Sequence, residues 1–173
     1  MGMDVLGKNP TTKTGEYFRN NVWWWRPLAD FCIQRYGAEV GFDGEGWGYN
    51  DGNGLNGDQS LHLARLIRAD LANGSVATYE RNYNEWRASL PREACDLCDC
   101  TGIRTDEVGV EHGMPERELA PEIQILTGRT HGYCNSCQGV GTNESFLAGY
   151  PFTEENVREF AEFLEGCGGF EIW

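Results

Sequence analysis

The sequence predicts an α+β fold: a small helical body interrupted by an insertion of short strands and turns. Three observations carry that expectation. Apolar residues recur at helical spacing over residues 26–37, 59–73, 75–90 and 154–165. Between residues 92 and 150 the helical spacing disappears and cysteines gather in pairs, in "CDLCDCTG" and "CNSCQGVG". Charge changes at the same place. Residues 1–92 hold 11 acids and 10 bases, residues 93–173 hold 16 acids and 4 bases, so twelve of the thirteen net negative charges lie in the second part. The expected organisation is a body of residues 1–91 with Trp-rich and Gly-rich loops, an insertion over 92–150, and residues 151–173 returning to complete the body.

Each element has a local reason. "RPLADFCIQRYG" predicts a helix with Pro27 at its first position and Gly37 just past its end. The glycine-dense run "GFDGEGWGYNDGNGLNGD" (41–58) must be loop or tight turns. Asp58 can cap a helix whose inward stripe is Leu63, Leu66, Ile67 and Leu71, ended by Gly74. Ser75 can cap a third helix, in which Val76, Tyr79, Tyr83, Trp86 and Leu90 recur at steps of three and four before Pro91. Inside the insertion "EIQIL" is the one strand candidate. Thr153 caps a last helix with Val157, Phe160, Ala161 and Leu164 on one face, and "GFEIW" reads as a closing strand.

Composition excludes several classes. No apolar run reaches the roughly 20 residues of a membrane helix, and "MGMDVLGKNP" lacks a signal-peptide core, so a cytoplasmic chain is expected. Gly2 is not followed by the residues of a myristoylation signal. A direct nucleic-acid reader needs Lys and Arg where the cysteine pairs lie, and that half is acidic. No nucleophile elbow, metalloprotease helix, phosphate loop or Cys–His nucleophile pattern occurs, so an enzyme is not expected.

Seven cysteines clustered in pairs, without an export signal, favour metal ligation over disulfides. A C-x-x-C turn offers two thiolates from one bend. Cys95 with Cys98 and Cys134 with Cys137, with 35 residues between the pairs, make one tetrathiolate zinc site. The insertion is therefore read as a zinc-knuckle insertion. His131, three residues before Cys134, and the spare Cys100 are possible substitutes as ligands. Closed four-thiolate zinc has no open position, which implies a structural role.

Both knuckles resemble the C-x-x-C-x-G-x-G repeat of the DnaJ-type chaperone zinc domain. "CNSCQGVG" matches through Cys134, Cys137, Gly139 and Gly141; "CDLCDCTG" matches through Cys95, Cys98 and Gly102, with Cys100 where the first glycine belongs. The resemblance implies zinc geometry only. In addition, "GKNPTTKTGEYFRNNVWWWRPLADFC" and "WGYNDGNGL" resemble small uncharacterised proteins of bacteriophages and some bacteria. That resemblance implies a viral or accessory setting without an activity.

A ligand has one candidate region. Trp23, Trp24 and Trp25 cannot all face one core, because neighbours fan by about 100° on a helix and alternate on a strand. They are either two core residues and a lid, or a stacking wall for a planar, nucleotide-like molecule. The second reading takes Arg19, Asn21, Trp24 and Arg26 with Trp47, Tyr49, Asn50 and Asp51 of the glycine loop as ligand-binding residues. "DGNGLNGD" has calcium-loop composition without the spacing. Two functions follow as expectations. One is an acidic binding protein, of phage accessory or anti-defence kind, that blocks a basic nucleic-acid-binding surface of a host protein. The other is sequestration of a nucleotide-like ligand, with an enzyme of unknown class in reserve.

Overall fold

The computed structural model describes residues 2–173. In chain order the elements are β1 (Gly2–Gly7), β2 (Tyr17–Asn21), α1 (Val22–Val40), β3 (Gly54–Asn56), α2 (Gly57–Ala72), α3 (Ser75–Ser89), β4 (Glu93–Ala94), α4 (Glu107–Glu111), α5 (Pro121–Thr127), β5 (Thr142–Asn143), α6 (Glu154–Gly166) and β6 (Gly169–Ile172). The class is α+β. The chain forms two compact units, Met1–Ala88 with Gly149–Trp173, and Ser89–Ala148. No helix of the described residues is long and apolar enough to cross a membrane.

The first unit rests on an antiparallel sheet in the order β2-β1-β6-β3. Alternation puts Met3, Val5, Phe18, Leu55, Phe170 and Ile172 on its buried face. Helix α6 supplies the facing rings: Phe18 and Phe160 lie 5.2 Å apart, and Phe163 meets Phe170 at 6.0 Å. From α1, Trp25 stands edge-on to Phe160 at 5.7 Å and 89°, and its indole N–H donates to the Trp47 carbonyl. Burying one such ring is worth a few kcal/mol, and these rings form most of the core.

Several boundaries differ from the sequence expectation, each for a local reason. Helix α1 starts earlier than Pro27, because the Asn21 side chain accepts from the amides of Trp23 and Trp24 at 3.0 and 3.2 Å. Pro27 therefore sits inside the helix, not at its first position. Gly37 does not end it either. The helix runs to Val40, and Gly41 (φ 82°) closes it by donating to the Gly37 carbonyl. Gly37 is small for a different reason, since a Cβ there would lie 2.6 Å from the Phe42 carbonyl oxygen of the returning chain.

The cap of α2 is Asn56, not Asp58. Asn56 accepts from the Gln59 amide at 2.9 Å while the Gln59 side chain accepts from the Asn56 amide at 3.2 Å, a reciprocal box. On α2, Leu63 and Ile67 are buried, whereas Leu66 and Leu71 pack at the core margin. On α3, Val76 is buried, Tyr79 and Tyr83 pack against the core, and Trp86 is exposed. Thr153 caps α6 through the Asn156 amide, and β6 is the closing strand.

The second unit is mostly turns. β4 pairs with β5, and Glu118 bridges His131. "EIQIL" is helix α5 rather than a strand, because Pro121 sits at its start and Gly128, at φ 71°, ends it. Within this unit the described residues that are buried and apolar are four cysteines and Leu119.

Candidate metal centre

The two C-x-x-C turns face each other in the second unit. Cys95, Cys98, Cys134 and Cys137 are all buried, and their sulfurs lie within 4.8 Å of one another. Across the knuckles the sulfurs of Cys95 and Cys134 lie 3.9 Å apart and those of Cys98 and Cys137 3.7 Å apart. A tetrahedral ion with metal–sulfur bonds of about 2.3 Å needs sulfurs about 3.8 Å apart. The cluster fits such an ion. Cys100 and His131 do not join it: both are exposed, and His131 Nδ1 pairs with the Thr130 hydroxyl at 3.0 Å.

Repetition of backbone conformation explains how the turns are made. After Cys98, residues Asp99, Cys100 and Gly102 have φ of 48°, 63° and 75°; after Cys137, Gln138, Gly139 and Gly141 have 55°, 90° and 91°. The same left-handed steps occur at the same offsets. They turn the amide four residues on toward the sulfur, so Gly102 donates to Cys98 Sγ at 3.2 Å and Gly141 to Cys137 Sγ at 3.1 Å. The knuckles also pack reciprocally. A Cβ on Gly102 would lie 2.3 Å from the Gly139 carbonyl oxygen, and one on Gly141 would lie 2.3 Å from that of Cys100. Only glycine serves at either place.

The departure at Cys100 also has a physical account. Its counterpart Gly139 is covered: a Cβ there would meet Leu119 at 2.6 Å and Ile123 at 3.4 Å. Cys100 is exposed, so a side chain has room at the cost of a left-handed backbone.

The thiol chemistry calls for a cation. Burial pushes Cys95 up, but hydrogen bonding with Ser136 and the other three cysteines outweighs it and brings the thiol to about 6. Burial, with hydrogen bonding to Cys95, pushes Cys98 up to about 12. Four sulfurs this close can share one negative charge easily and not four. A bound metal ion removes that obstacle.

Arginines tie the turns together, and sequence reasoning missed them. Arg129 donates to the Gly132 carbonyl at 3.2 Å and to that of Gly139. Arg104 holds Asp106 through Nε and Nη2 at 2.8 and 3.0 Å and Asn135 through Nη1 at 3.0 Å. Arg92 donates to the Thr142 hydroxyl and carbonyl at 2.8 and 2.6 Å, and Arg117 lies 4.2 Å over the Tyr133 ring. The available signal was their rarity: Arg92, Arg104, Arg117 and Arg129 are the basic residues of a strongly acidic stretch.

The eight residues nominated for a planar ligand all lie in the first unit, in varied settings. Asn21 caps α1, and Trp47 is 2% exposed, stacked on Phe42 at 4.8 Å. Trp24 is half-buried. Arg26 donates to the Tyr150 hydroxyl at 2.9 Å, and Arg19, on β2, lies 3.9 Å from Asp4 on β1. Tyr49 is exposed, Asn50 donates to the Gly2 carbonyl at 3.3 Å, and Asp51 accepts from the Asn53 amide and side chain. Of the three tryptophans, Trp25 is core, Trp24 intermediate and Trp23 exposed.

Compared with family models, curated proteins and solved structures, the chain matches none.

Proposed function

We propose that the protein is a zinc-stabilised binding protein whose acidic C-terminal half docks on a basic surface of another protein. The metal serves structure, since four buried thiolates complete a tetrahedron and leave no position for substrate. The partner class is a nucleic-acid-binding protein, whose cationic face is complementary to such a surface. With the resemblance to small phage proteins, the role is that of a phage accessory or anti-defence factor acting in the host cytoplasm.

The carrying observation is the disposition of charge in Ser89–Ala148. Its ten carboxylates, from Glu93 to Glu144, are all exposed. Its four arginines are committed to carbonyls, a hydroxyl, a ring and, in one case, Asp106, which is the one acid of this unit in an ion pair among the described residues. Four thiolates on a divalent ion add about two more negative charges. The unit thus presents ten exposed carboxylates, while its four arginines are engaged within the unit.

The rival reading, a nucleotide-like ligand at the Trp and Gly-loop residues, competes with work those side chains already do. Asn21, Arg26, Trp47 and Asn50 are each engaged within the fold. Docking is therefore preferred.

The test is kinetic. Association with a captured partner should slow steeply between 50 and 300 mM salt, as the screening length falls from about 14 Å to about 6 Å. The triple change Glu116→Lys, Glu118→Lys, Glu122→Lys should lower the on-rate at least tenfold with little change in off-rate. On-rates indifferent to both would overturn the reading.

A further inference from the structure

Strand β2 is an edge of the sheet, and the direction of its free backbone groups follows from β1. Asp4 donates to the Trp173 carbonyl at 2.8 Å and accepts from the Trp173 amide at 2.7 Å. Its backbone therefore faces the β6 side, so its neighbours Met3 and Val5 face β2, opposite Asn20 and Phe18. Asn20 and Phe18 spend their N–H and C=O groups on β1. Those of Tyr17 and Arg19 project from the open edge.

A groove runs beside that edge, lined by Tyr17, Phe18 and Arg19 on the strand and by Glu159, Glu162 and Phe163 on α6. Phe18 and Phe163, with centroids 5.8 Å apart, form its floor. Glu159 and Glu162 are exposed and neither is in an ion pair among the described residues; Glu162 accepts only from the Thr14 hydroxyl, at 3.3 Å. Arg19, the one cation of the groove, lies 3.9 Å from Asp4 on the neighbouring strand. A charged side chain on a short edge strand also disfavours pairing of two copies through this edge.

We propose that the β2 edge and α6 together bind an extended, basic segment of a partner protein by strand addition. Backbone bonds to Tyr17 and Arg19 hold the segment, and alternate Lys or Arg side chains on the α6 side reach Glu159 and Glu162 with their methylene stems over Phe18. This rests on the docking reading above and supplies it with a recognition mode. The two remain separable, because the charge observation that carries the reading lies in Ser89–Ala148 and this groove does not.

The experiment titrates the zinc-loaded full-length protein, labelled with nitrogen-15, with the synthetic peptide Lys-Val-Lys-Val-Lys-Val-Lys, and with its Glu-for-Lys counterpart as control. Expected are shifts at the Tyr17 and Arg19 amides with the basic peptide alone. Glu159→Lys with Glu162→Lys should weaken binding at least tenfold. Arg19→Pro, which removes an outward N–H and spares the β1–β2 bonds, should do the same. Shifts confined to residues 89–148 would overturn this inference and leave the docking reading standing. Shifts at β2 that survive both variants, or that the acidic peptide produces equally, would also overturn it. So would β2 amides that change with protein concentration before peptide is added, which would assign the edge to a second copy.

Discussion

The two units hold themselves together by different physics. Met1–Ala88 with Gly149–Trp173 buries a continuous aromatic and aliphatic core, in which Trp25, Phe31, Phe152, Phe160, Phe163 and Phe170 are all close to fully covered. Ser89–Ala148 buries four cysteines and Leu119. A unit that buries so few apolar side chains has little transfer free energy to set against its chain entropy. The first unit is held by transfer of rings out of water; the second offers four thiols placed to hold a metal ion and a few glycine-permitted backbone contacts. The difference teaches that the body carries its own core, whereas the knuckle unit has a cysteine cluster in place of one.

The largest expected effect follows from that contrast. Purified protein should carry one zinc per chain, and removing it, by chelator or by Cys134→Ser, should unfold residues 89–148 while the dispersed amide signals of the body persist. Structural zinc sites contribute about 10–16 kcal/mol. Elemental analysis well below half an equivalent, or a knuckle unit that stays folded in chelator, would break the comparison.

The converse change is next in size. Trp25→Ala should cost the body about 3–5 kcal/mol in denaturant unfolding, since it leaves a cavity beside Phe160 and Trp47. Zinc content should not change. Loss of zinc in that variant would show that the units are not independent in stability.

Within the knuckles two substitutions should act oppositely. Gly141→Ala forces a Cβ to 2.3 Å from the Cys100 carbonyl oxygen at φ 91°, and should weaken zinc affinity at least tenfold. Cys100→Gly relieves a left-handed cysteine at φ 63° and should stabilise the unit by about 1 kcal/mol. Competition with a chromogenic chelator reads both. A cysteine variant that loses zinc would give Cys100 a role the geometry does not.

The smallest effect is a pH dependence of the body. Hydrogen bonding from Arg35 holds the Asp70 carboxyl below the usual carboxylate range despite partial burial, with help from Tyr36 and Asn73. A depressed folded-state value contributes stability above the ordinary carboxylate pKa of about 3.9, and that contribution is lost as pH falls through the folded value. Asp70→Asn should therefore lower body stability by about 1 kcal/mol at neutral pH and flatten its acid limb. A stability curve unchanged between pH 3 and 7 would remove this link between α1 and α2.

What was legible in the sequence tracks how local the physics is. The cysteine pairs were readable because two ligands from one turn is a constraint on four consecutive residues. Val157, Phe160, Ala161 and Leu164 were readable because one helix face is a local pattern, and all four are buried. The strands β1 and β2 were not anticipated: five or six residues with a buried Asn20, whose side chain bonds to Asn156 at 2.8 Å, carry almost no periodic signal. The pairing of β1 with β6 joins the first residues of the chain to the last. Gly37 was misread because a glycine that admits a crossing chain looks the same as one that ends a helix. Pro121 and Gly128 decided α5 against the β preference of its two isoleucines. Arg129 and its carbonyl partners were hidden, since they depend on the two knuckles already being face to face.

The pairing of β4 with β5, Glu93 against Asn143 and Ala94 against Thr142, places the two ends of the knuckle unit side by side. A segment with its ends placed this way meets the geometric requirement of a genetic cassette. It can be gained or lost in a single insertion or deletion without redrawing what precedes or follows, and it could be moved into a surface turn of an unrelated carrier. Inheritance can then treat the cysteine-bearing piece and the body as separate units of exchange.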